Sequence, residues 1–174
     1  KYTTYQLTKL ALPEVKLGIL PSWGGTTRLP RIINPVKAME LICSGRNVGE
    51  SEALKIGLVD SLKPHHEALD EAYSVIDSID YKKIRSQKMS PAVVPKWKVW
   101  AFSKITERLI GRKQKKMFGD KYKYPSPYKA LSTFKRSIRL NRNDSLDMER
   151  ESFIELVKTP QCQDLVRRFL NGER

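Results

Sequence analysis

The stretch "LPEVKLGILPSWGGTTRLPR" (residues 12–31) decides how this chain is read. One acid, Glu14, is followed by an apolar run, a Pro-Ser-Trp-Gly-Gly turn at residues 21–25, and a basic end carrying Arg28 and Arg31. Three readings compete: a phosphate-cradling loop, a catalytic loop, or a strand closed by a tight turn. A Walker loop needs Lys and Ser/Thr after its glycines, so that an ammonium reaches the phosphates; here Gly24-Gly25 is followed by Thr26-Thr27-Arg28. A dinucleotide fingerprint needs three glycines at fixed spacing, which Gly18, Gly24 and Gly25 do not supply. On residue types alone, the favoured reading is a short apolar strand over residues 15–20 and a Gly-Gly pair that turns the backbone before a helix. Glu14 would then be a solvated acid.

Outward from this stretch, Asn34-Pro35 predicts a helix start, with Asn as the cap and Pro in the first turn; Gly45 predicts its end. "ESEALKI" predicts a short helix stopped by Gly57, "LVDSL" a brief strand, and residues 65–79 a helix with Leu69, Ala72, Tyr73, Ile76 and Ile79 on one face. Residues 81–95, basic and holding Pro91 and Pro95, read as a linker. In residues 96–118 Trp97, Ala101, Ile105 and Leu109 recur every four residues, and Gly119-Asp120 breaks the run. A helix follows near Pro127. The next carries Leu146, Phe153, Ile154 and Val157 as its apolar positions, and Thr159-Pro160 opens a last helix to about Leu170.

The net charge of +14 is concentrated in one segment: residues 1–80 carry −1, residues 81–123 carry +12, and residues 124–174 carry +3. A basic island between nearly neutral parts points to a local partner surface rather than to nucleic acid. Cys43 and Cys162 lie far apart and suggest neither a disulfide framework nor a zinc site, and adjacent His65-His66 make a poor ligand pair. No metal site is expected. No apolar run approaches the length of a membrane span.

The order of residues goes further than their types. Pro13-Glu14, Leu20-Pro21, Gly24-Gly25-Thr26, Arg28-Leu29-Pro30, Ser44-Gly45-Arg46, and Ala53 with Gly57-Leu58-Val59-Asp60 together resemble the crotonase (enoyl-CoA hydratase/isomerase) family. "KYPSPYKAL", "MERESFIELVKTP" and "LVRRFLNGER" are similar to the linker region of multifunctional fatty-acid oxidation α subunits, which place a hydratase domain before a 3-hydroxyacyl-CoA dehydrogenase domain. The resemblance implies an α/β crotonase-like spiral fold, C-terminal half only, followed by a mainly α-helical segment. Its divisions are residues 1–80 (hydratase half), 81–123 (basic linker with an amphipathic helix) and 124–174 (helical region leading toward a dehydrogenase domain not present in the chain).

The implied activity is hydration of trans-2-enoyl-CoA to 3-hydroxyacyl-CoA, with enoyl-CoA isomerisation as a second activity. Two glutamates and a backbone oxyanion hole share this work in the family. Glu14 matches the second glutamate, the proton carrier to the α carbon; nothing in residues 1–13 matches the first. The chain is thus expected to hold half an active site and to be inactive alone. Leu20, Pro21, Ser22 and Trp23 are the implied substrate-binding residues. Ser22 stands where the family has glycine, and keeps the N–H that helps to hold the catalytic water. Trp23 either lines the acyl pocket or packs on the turn.

No cofactor is expected in this segment, since the CoA thioester is the substrate and NAD belongs to the dehydrogenase domain. Implied partners are the rest of the α chain and a thiolase β subunit. The implied location is the bacterial cytoplasm or, alternatively, the mitochondrial matrix at the inner membrane. Trp97, Trp100 and Phe102 with Lys104 and Arg108 suit an anionic membrane surface or a partner. The favoured alternative packs the aromatic face on the enzyme body. A non-catalytic docking module is the competing function.

Overall fold

A computed structural model of the chain describes residues 8–64, 66–80, 95–118 and 124–172. The expected strand over residues 15–20 is not formed. Pro13–Leu17 is instead a turn of 3₁₀ helix, opened by a proline whose fixed φ and missing N–H suit a helix start. Gly18 ends it at φ 81, where its N–H reaches Val15 O at 3.4 Å and that of Ile19 reaches Glu14 O at 3.2 Å. The strand expected at "LVDSL" is also absent: it follows Gly57 at φ 72, and residues 58–60 bend. Among the described residues the sheet is one antiparallel pair, β1 (Lys9–Leu10) and β2 (Val48–Gly49), with Leu10 opposite Val48. The α/β expectation is corrected to a mainly helical structure with a small sheet.

Helix ends follow local chemistry. α1 (Gly25–Ile32) begins straight out of the Gly-Gly turn. α2 (Pro35–Ser44) is capped by Asn34, whose side chain accepts the Val36 N–H at 2.9 Å, and closed by Gly45 at φ 59. α3 (Glu50–Lys55) is short, and α4 (Ala68–Ser78) has no buried residue. α5 is Lys96–Phe118, α6 is Ser126–Ser137, α7 is Arg142–Val157, and α8 is Pro160–Leu170 with the Thr159 side chain on the Cys162 N–H. Residues 81–94, read as a linker, and the break at Gly119-Asp120 lie outside the described residues, as does His65.

One hydrophobic cluster joins the two ends of the sequence. Leu20, Met39, Ile42 and Val48 pack with Leu131, Phe134, Ile138 and Leu156. α2 sits between α1, α5 and α6, and α7 lies across α6 and α1. Two helices turn a different face inward from the one their apolar spacing predicts. α7 buries Ser145, Glu149, Ser152 and Leu156, leaving Ile154 and Val157 exposed. The small hydroxyls let it approach α6 closely: Thr133 Oγ1 donates to Ser152 Oγ at 2.8 Å, and Ser145 Oγ to Ser137 O at 2.9 Å. α5 buries Val99, Ser103, Ile110 and Gln114, while Trp97 is 65 % exposed and Trp100 63 %. The expected packing of the aromatic face on the body is therefore corrected. Of the three aromatics only Phe102 packs against the core.

Candidate active site

Glu14 is the second residue of the Pro13–Leu17 turn. The residue is half-buried, and its Oε2 is buried with no hydrogen-bond partner. An unmet buried acceptor costs about 1–3 kcal/mol, so it is uncommon unless something else uses it. The turn is held from behind: Ser126 Oγ, at the start of α6, donates to Val15 O at 2.9 Å. The first turn of α8 presses on Gly18, where a Cβ would lie 2.7 Å from Cys162 Cα.

The second turn, residues 21–25, is built by two glycines for two reasons. Gly24 has φ 86, a region that favours glycine. Gly25 sits so close to Pro21 that a Cβ would lie 2.5 Å from the proline Cβ. A carboxylate from α7 fills the anion-attracting end of α1: Gly24 N–H donates to Glu149 Oε2 at 2.7 Å and Thr26 Oγ1 to Glu149 Oε1 at 2.5 Å. The Gly24 N–H is thus taken by the chain's own carboxylate. Arg28 arches back to donate to Trp23 O, and Arg31 donates to Leu140 O at 2.9 Å and to Thr27 O. Burial holds the Arg31 guanidinium below its ordinary range, with Arg142 adding to the effect and Glu149 opposing it.

Of the expected substrate residues, Leu20 and Pro21 are in the core, Ser22 is half-buried, and Trp23 points outward at 92 % exposure. A cavity of about 450 Å³ borders Gly24 and Gly25, walled by Leu10, Leu12, Leu29, Leu58 and Val59 with Arg28 and Arg46 among its lining. None of residues 20–23 lines it, and neither does Glu14. Trp97, Trp100, Lys104 and Arg108 are remote in sequence and share the exposed face of α5, where Lys98 Nζ stands 5.5 Å from the Trp97 ring centre.

A second polar cluster braces α2 against α3. Arg46 pairs with Glu40 at 2.7 Å and Glu52 at 2.6 Å, and Lys37 reaches both acids at 3.0 Å. The Arg46 and Lys37 hydrogen bonds hold Glu52 down to about 2. Burial pushes Glu40 up, but the same two cations outweigh it and leave it lowered. Cys43 is pushed up to about 12, first by burial and then by Glu40, so its thiol is not a nucleophile. Both cysteines are buried and free. Among the described residues, no group of three or more His, Cys, Asp or Glu could hold a metal ion. No helix among them is long and apolar enough to cross a membrane.

Sequence reasoning missed Glu149, which sat unnoticed in the charged run "MERES". Its signal was the 4-3-4 spacing of Ser145, Glu149, Ser152 and Leu156, a helical stripe of small residues around one acid. The cavity walls were missed as well: Leu10 and Leu12 only flank the motifs, while Leu58 and Val59 belong to the motif at residues 57–60 but were not read as lining a cavity.

An acid with a free, buried oxygen on a fixed turn, followed by a braced Gly-Gly turn, is an arrangement suited to moving a proton. The sequence model of the enoyl-CoA hydratase/isomerase family matches residues 4–98, more than half of the chain, and the chain belongs to that family. A solved structure from Mycobacterium abscessus ATCC 19977 / DSM 44196, provisionally assigned as an enoyl-CoA hydratase/isomerase, is similar at 22% identity with a TM-score of 0.39. The match covers 95% of this chain and 52% of that one, so the chain spans about half the length of that protein.

Proposed function

We propose that the chain contributes to hydration of a trans-2-enoyl-CoA, with Glu14 as the proton carrier. The observation that supports this is the buried, unpartnered Oε2 of Glu14 on a turn held from two sides. In hydration, water oxygen bonds to the β carbon and loses a proton to a second carboxylate. The α carbon then receives a proton from Glu14, while the thioester oxygen carries the intermediate negative charge. A free carboxyl oxygen suits this exchange because no internal hydrogen bond has to break first. Enoyl-CoA isomerisation moves a proton between carbons on the same substrate and would use the same group. Neither reaction is a net oxidation, so neither calls for a redox cofactor. In the full-length protein, Glu14→Gln should lower kcat for crotonyl-CoA hydration by about 10²–10⁴-fold. A near-normal rate would overturn the assignment.

The resemblance of residues 124–174 to the multifunctional α subunits supports a role for this step in fatty-acid β-oxidation. On that reading the remaining α chain and a thiolase subunit are partners, and NAD serves only a dehydrogenase unit. Co-purification of the full-length protein with a thiolase subunit tests it.

A second reading rests on a separate observation. Trp97, Trp100, Ile105 and Leu109 are all exposed on α5, interleaved with Lys104, Arg108 and Arg112. Such a face suits the headgroup region of an anionic bilayer. The full-length protein should co-sediment with cardiolipin vesicles at low salt and be released at high salt.

A further inference from the structure

Among the described residues, Glu149 is the charged side chain buried without exposure. It is 0 % exposed, and both of its oxygens are engaged by the Gly-Gly turn of a segment more than a hundred residues earlier. A buried carboxylate is costly unless it is fully bonded, and an apolar residue of similar size usually stabilises as well. Nor does α1 require an acid from elsewhere. A Ser or Asn at its own N-cap would accept a first-turn N–H locally. The chain instead has Gly24 there, with no side chain, and the acid on α7 takes the Gly24 N–H and the Thr26 hydroxyl.

We propose that Glu149 is a positioning residue for the hydration step, fixing the 22–25 turn so that the Ser22 N–H meets the attacking water. This rests on the hydratase reading given above. The turn is bracketed on both sides of Ser22. On one side Pro21 is pressed against Gly25. On the other, the Gly24 N–H and the Thr26 hydroxyl are bonded to one carboxylate, which fixes the Trp23–Gly24 peptide and ties it to the first turn of α1. The carboxylate's charge is offset by the N-terminus of α1 and by Arg31 nearby. The same helical body holds the Glu14 turn, through Ser126 on Val15 O and Cys162 against Gly18. α6, α7 and α8 therefore set the proton carrier and the water-holding turn against one common frame. Misplacing reacting groups by about 1 Å costs on the order of 10²-fold in rate, so such a frame has a large effect to exert.

The test uses full-length protein and crotonyl-CoA, with kcat, KM and thermal melting measured on each variant. Thr26→Val keeps the volume and removes one bond to Glu149. It should lower kcat about tenfold with KM within about twofold, at temperatures where circular dichroism shows the variant folded. Thr26→Ser keeps the hydroxyl and should restore kcat to within about threefold of wild type. Glu149→Gln keeps an acceptor for Gly24 and should fall between the two. Wild-type kcat in Thr26→Val and Glu149→Gln overturns the positioning role, and so does a loss that only follows the unfolded fraction or that Thr26→Ser fails to rescue. Absence of hydration by the wild-type protein overturns the activity reading itself and this role with it.

Discussion

Glu14 and Glu149 are both acids tied to residues 12–31, and the structure treats them in opposite ways. Glu14 is half-buried and keeps one buried oxygen with no partner. Glu149 is wholly buried and has both oxygens bonded, to Gly24 and Thr26. An acceptor left open inside a protein lowers stability and is available for chemistry; an acceptor fully engaged is removed from chemistry and adds rigidity. On the proposed reading, the contrast separates a residue that acts from a residue that holds, without reference to either one's position in a motif.

The sharpest way to break this comparison is to neutralise each acid in turn. Glu14→Gln should remove hydration by the orders of magnitude given above while leaving the melting temperature unlowered, because no internal bond to its Oε2 is lost. A clear fall in melting temperature would make Glu14 a structural acid like Glu149. Glu149→Ala should do the reverse in stability: it strips partners from the Gly24 N–H and the Thr26 hydroxyl and should cost roughly 3–4 kcal/mol. Denaturant titration would show this as a lower midpoint at unchanged slope.

A smaller effect sharpens the contrast with acids at the surface. Glu52 is held down to about 2 by Arg46 and Lys37, against an ordinary 4.5. A carboxylate lowered by folding stabilises fully above its unfolded value, and that contribution is lost as pH falls from about 4.5 through about 2. Glu52→Gln should therefore flatten the acid side of the stability profile and leave the neutral side parallel to wild type. Smallest in stability is the double change Trp97→Ser with Trp100→Ser, which touches an exposed face and should move unfolding by no more than about 0.5 kcal/mol. The same variant should lose most of its cardiolipin binding if α5 meets a bilayer; vesicle co-sedimentation decides it.

What the sequence made legible was mostly local. Asn34-Pro35, Gly45 and Thr159-Pro160 announce helix ends because a cap needs only its own neighbours. The family was legible because the order of short motifs from Pro13 to Asp60 is specific, and the match over residues 4–98 bears it out. The apolar run after Glu14 misled, because an apolar run cannot show that Gly18 will adopt a positive φ and end a 3₁₀ turn there. The inward faces of α5 and α7 were illegible for a different reason. Serines that pack closely against a neighbouring helix look polar in sequence and are chosen by a surface elsewhere in the chain. Trp97 and Trp100 misled in the opposite sense, since large aromatics suggest a core and here stay outside.

The bond from Gly24 to Glu149 spans 125 positions, and that separation has a consequence for biosynthesis. At translation rates of about 5–20 residues per second, the acid leaves the ribosome about 6–25 s after the glycine that it holds. During that interval the Gly-Gly turn exists without its acceptor, and α1 begins from an unanchored N–H. The turn therefore takes its final form only after the chain has been made as far as Glu149, 125 residues beyond Gly24.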